Sequence, residues 1–120
     1  MPDQPTNAAY FYQGWETYQG LLIKALASLT PEQLALRSRE GLRSVGENAR
    51  HIIGARGRWF HILMGLGDEE FIAMSEWDRP TQPERSAAEL VHGLEHTWQI
   101  MNAALESWSP ADLDFAYPND

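Results

Sequence analysis

The sequence predicts an all-α domain, and three observations carry that reading. Apolar residues recur at spacings of three and four in three separate segments. Capping boxes, in which a Ser or Thr is followed three residues later by Glu or Gln, open helices at three places. No segment alternates apolar and polar residues as a half-buried strand does. At 120 residues the chain is long enough for one core, so residues 1–120 form a single domain.

The first helix is marked by Phe11, Trp15, Tyr18, Leu22, Ala25, Leu26 and Leu29, an amphipathic stripe. Thr30-Pro31-Glu32-Gln33 then caps a short helical turn with Pro at its first position. Gly41 breaks the chain, and Ser44-Val45-Gly46-Glu47 opens a second helix that runs to about Gly65. Residues 65–85 carry Gly and Pro at both ends and form a connection, with a helical turn over Glu69 to Met74. Ser86-Ala87-Ala88-Glu89 opens a third helix that reaches about Trp108.

One phrase occurs twice. Ala25-Leu26-Ala27-Ser28-Leu29-Thr30-Pro31 ends the first helix, and Ala104-Leu105-Glu106-Ser107-Trp108-Ser109-Pro110 ends the third. After the first copy comes another helix, so a fourth helix is expected after the second. The second helix supports this, because at about 100° per residue its apolar positions spread over roughly 200°. It expects neighbours on two sides.

Composition narrows the function classes. The chain has no Cys, which removes disulfides, thiolate zinc sites and a cysteine nucleophile and suits a cytoplasmic location. Its N-terminus lacks the basic and apolar regions of a signal peptide, and no apolar run is long enough to span a membrane. The net charge of −8 repels a phosphate backbone, and the arginines between Arg37 and Arg58 are spread around a turn and a helix. Nucleic acid is therefore not an expected partner.

Few residues offer chemistry. His92 and His96 stand at i, i+4 on the third helix, a spacing used by zinc sites, but the wheel puts them roughly 150° from its apolar face, as a solvated pair. His61 falls on the polar side of the second helix. His51 flanks that helix's apolar arc, where a bundle-core ligand and a structural His bonded to a carbonyl fit equally. Arg56 lies within the arc and must either snorkel or find a carboxylate, Glu16 being one imaginable partner off the first helix's apolar face; a structural ion pair is the first reading and an anion pocket the other. Trp15, Tyr18, Trp59 and Trp98 are most simply core, and Asp68-Glu69-Glu70 a solvated loop opening.

"LTPEQLALRS" followed by "SVGENARHIIGARGRWF" resembles the signature of the DinB-like superfamily of small bacterial four-helix proteins. The matching positions are Ser44, Val45, Gly46, Glu47 and His51, and "RSAAELVHGLEHTWQIMNAAL" with "WSPADL" resembles the third helix and the turn after it. The likeness covers roughly residues 8–117.

It implies an up-down bundle holding a divalent metal, zinc or nickel, on three His. One maps onto His51, and the other two belong to an H-x-x-x-H pair on the fourth helix, which would follow Asp120. Members with assigned activities include thiol transferases and an isomerase that use low-molecular-weight thiols. Three neutral imidazoles around an open position would make a Lewis acid that lowers a bound thiol's pKa. The expectation is therefore a metal-dependent enzyme of the thiol-transferase type with His51 as one ligand. Its alternative is a metal-free helical binding or dimerisation module. With three long helices, an apolar seam along the first two would stay open, and a homodimer would bury it.

Overall fold

The computed structural model describes residues 7–114. Residues 115–120, and the helix expected beyond Asp120, lie outside the described residues. All three capping boxes form: Thr30, Ser44 and Ser86 each accept from the backbone N–H three residues on, while Gln33, Glu47 and Glu89 reach back to the cap. Each satisfies two N–H groups that a helix start leaves without partners.

Helix α1 spans Gln13–Leu26 after a 3-10 turn at Ala8–Tyr12, and α2 is the single turn Pro31–Leu34. Helix α3, Val45–Gly57, continues as a π-helical segment over Arg58–Leu63, and Gly65, at φ 73, stops it in the left-handed conformation. Helix α4, Glu69–Met74, starts at Asp68, whose side chain accepts from Phe71 N. Helix α5 runs from Ala87 to Ser107, and a 3-10 turn, Pro110–Asp114, follows. Among the described residues there is no strand, only an isolated bridge between Arg37 and Ser44. Among the described residues no helix is long and apolar enough to cross a membrane.

Helix α5 is the centre of the packing. Helices α1 and α3 each lie along it and touch each other only marginally. Ile53 on α3 and Leu90 and Leu94 on α5 meet Leu26 of α1, Leu34, Met74 and Trp77 in the main core. A second cluster joins Phe60 of the π segment and Phe71 of α4 to Met101 and Ala104 at the far end of α5. Because α1 and α3 rest side by side on α5, the faces they turn to each other are incompletely covered. Trp15, Tyr18 and Trp59, expected in the core, expose 44%, 56% and 56% of their surface. Trp98 does pack against the second cluster.

The segment after α4 is held tightly on α3. At Gly57 an added Cβ would lie 2.7 Å from Ser75 Cα, so the backbones approach as only glycine permits. Gly57→Ala is expected to destabilise the fold by about 1–3 kcal/mol through overpacking. Gly20→Ala on α1, where nothing lies within 4 Å, should instead be neutral or stabilise by roughly 0.5–1 kcal/mol. Urea denaturation of both variants checks this; equal effects would contradict the close approach.

Candidate functional site

His51 reaches Asp78, in the connection between α4 and α5. The His51 Nδ1–H donates to Asp78 Oδ2 at 2.8 Å. Arg58, two turns further along the same helical stretch, donates from Nη1 to Asp78 Oδ1 at 2.7 Å and from Nη2 to Oδ2 at 2.9 Å. The helix leaves room for this carboxylate because residue 54 is glycine: a Cβ there would meet Asp78 Oδ1 at 2.6 Å. The bidentate Arg58 contact, with His51 adding to it, holds the Asp78 carboxyl down at about 2 against an ordinary value of 3.8.

The His51 ring is thereby oriented, its side chain 40% exposed and its Nε2 without a bond among the described residues. A carboxylate on one nitrogen and a free second nitrogen is the arrangement that ligating imidazoles adopt. One imidazole is one ligand, however. Among the described residues no group of three or more His, Asp or Glu side chains could hold a metal ion, so His51 and its neighbours do not by themselves fit the three-His centre that the resemblance implies.

The other histidines are more engaged than the helical wheel suggests. His96 Nε2 bonds Asp68 Oδ1 at 2.9 Å with only 15% of its side chain exposed, and His92 Nε2 bonds Glu70 Oε1. The wheel considered α5 alone; the start of α4 crosses that face and supplies both acids. Glu70 Oε2 also lies 3.9 Å from His96 Nε2, and the two imidazoles stack with centroids 6.0 Å apart, so the four groups form one small surface network. His61 Nδ1 lies 3.0 Å from the Leu66 carbonyl, a local tie at the end of the π segment.

Arg56 corrects another expectation. No carboxylate pairs with it among the described residues; its Nη1 donates to Leu94 O at 3.2 Å and to Thr97 Oγ1 at 3.1 Å. Burial lowers its pKa to about 10, which leaves it charged at neutral pH. From the other side, Gln19 Nε2 donates to the same Leu94 carbonyl at 2.9 Å, while its buried Oε1 has no partner among the described residues.

Above this contact lies the seam between α1 and α3. At one end of it is an open cavity of about 300 Å³ lined by Tyr12 and Trp15, by Trp59, Phe60 and Met64, by Leu105 and Trp108, and by Asp112 and Leu113. Tyr12 and Trp15 pack with ring centroids 4.5 Å apart, and Phe60 and Trp108 stack nearly parallel at 6.2 Å. Aromatic walls with a few polar groups are the usual make-up of a small-molecule pocket.

A family model of the DinB superfamily matches residues 14–119. No curated protein and no solved structure matches the chain.

Asp78 yields a pH signature. Its pKa is depressed on folding, so its contribution to stability is complete above about pH 4 and is lost as pH falls towards about 2. The stability difference between the wild type and Asp78→Asn should shrink over that interval in acid denaturation series. A difference independent of pH would contradict the assignment.

Proposed function

The chain belongs to the DinB superfamily, and from that premise we propose that it works as a helical binding module whose working surface is the seam between α1 and α3. One observation carries this: Trp15 and Trp59, two large aromatic side chains that line the same apolar cavity, stay about half exposed, and Tyr18 is exposed further along α1. Aromatic surface left in water costs free energy, about 25 cal/mol per Å². Contiguous apolar patches on soluble proteins mark sites where something binds. Two other occupants compete for the seam: the fourth helix expected after Asp120, and a second copy of the chain, buried as a homodimer.

A second reading keeps the metal-dependent chemistry of the superfamily. It is favoured by one contact, Asp78 on His51 Nδ1, which presents Nε2 as a prepared ligand. In that reading a divalent ion, zinc or nickel, would need ligands beyond those that His51's neighbours supply. A low-molecular-weight thiol would then be the group activated.

Titration with a neutral solvatochromic dye tests the binding reading, with light scattering alongside to record mass. Saturable dye binding by a monomer, lost in the Trp15→Ala/Trp59→Ala variant, is the expected result; both residues are exposed, so the variant should keep its fold. No dye binding, or binding indifferent to the double substitution, would overturn it, and a dimer that excludes the dye would assign the seam to a second copy. Metal analysis by mass spectrometry separates the second reading. Near one metal per chain, lost in His51→Ala and kept in the tryptophan variant, would establish a centre at His51 instead.

A further inference from the structure

We propose that the cavity at the end of the seam takes a small quaternary or tertiary ammonium compound, an assignment that rests on the binding reading above and names its ligand. Five aromatic residues, Tyr12, Trp15, Trp59, Phe60 and Trp108, line the cavity together with three other apolar residues and the acidic Asp112. The faces of such rings carry negative charge density, and Trp carries most, so a cation that reaches them is attracted without a hydrogen-bond acceptor. An alkylated ammonium fits that surrounding especially well. Its charge is spread over methyl groups that prefer an apolar wall, and it has few or no N–H donors to satisfy.

Charge selects the same class. The protein carries a net −8, a field that concentrates cations and repels anions. Asp112 brings one negative charge to the opening. Its Oδ2 already accepts from Ser109 N at 2.8 Å, which fixes the carboxylate in place. Neither Arg56 nor Arg58 lines the cavity: Arg56 Nη1 donates to Leu94 and Thr97, and Arg58 is held by Asp78. The volume of about 300 Å³ is at the lower end for ligand pockets, which suits a small head group better than an extended molecule.

Choline chloride and its uncharged tert-butyl isostere have nearly the same shape, so comparing them isolates the charge. Titration of the full chain with each, followed by tryptophan fluorescence and calorimetry, should show choline binding at least tenfold more tightly. Trp59→Leu, which keeps apolar bulk but removes the ring, is expected to weaken choline about tenfold and to leave the isostere nearly unchanged. Asp112→Asn should weaken choline by a smaller factor and flatten its dependence on salt. Equal binding of the two compounds, or choline binding indifferent to Trp59→Leu, would overturn the assignment. If the neutral dye binds at the seam but choline does not, the ligand class is wrong while the binding reading stands; if neither binds, both fall. Co-sedimentation with phosphatidylcholine vesicles in the absence of free choline binding would also overturn it, moving the site to a lipid head group.

Discussion

Two side chains from opposite flanks of the bundle donate to one backbone oxygen, Leu94 O in the middle of α5. Gln19 reaches it from α1 and Arg56 from α3, and Thr97 Oγ1 joins them while donating to Gly93 O at 2.8 Å. Apolar packing alone would leave α1 and α3 free to slide along α5, because it is not directional. Buried hydrogen bonds are directional, and leaving one unmade costs about 1–3 kcal/mol. The shared carbonyl therefore fixes the axial position of both flanking helices, and with it which residues face each other across the seam. Trp15 comes to oppose Trp59, and Tyr18 comes close to Arg56, because the two helices are pinned at a common point.

The π-helical continuation of α3 then shapes the end of the seam. Wider turns after Gly57 shift the residues that follow relative to the helix before it. Phe60 is carried inward to meet Phe71 and Met101, while Trp59 and Ile62 are left facing outward. On the opposite side of α3, Gly54 and Gly57 let the segment around Ser75 and Asp78 lie against the helix backbone. One helix therefore presents two different surfaces, an apolar seam towards α1 and an oriented His51–Asp78–Arg58 group towards the connection after α4.

Much of the architecture was legible in the sequence, for local reasons. Capping boxes are encoded within four residues, and those at Thr30, Ser44 and Ser86 all formed. The turn at Glu69–Met74 and the third helix also lie where periodicity put them. What escaped depended on residues distant in the chain. A wheel shows which residues share an apolar face but not whether another element covers that face, so it could not show that Trp15, Tyr18 and Trp59 stay exposed. It also could not know that α4 crosses α5 and covers much of His96 at Asp68, while His92 stays exposed where the wheel places it. Asp78 gave no signal at all, lying in a polar connection among Trp77, Arg79 and Pro80. The glycines at 54 and 57 were the available hint, since two small residues at adjacent turns of a helix mark a close approach. Arg56 was recognised as misplaced on an apolar arc, but its partners proved to be a carbonyl and a hydroxyl rather than an acid.

The central claim is that one carbonyl on α5 positions both flanking helices. Amide hydrogen exchange tests this most directly, comparing the wild type with Arg56→Met and Gln19→Leu under native conditions. The account expects each substitution to reduce protection in α1 and α3 together, while the interior of α5 stays protected. Loss confined to the helix that carries the substitution, or no change in either, would show that the two flanks are held independently and would contradict it.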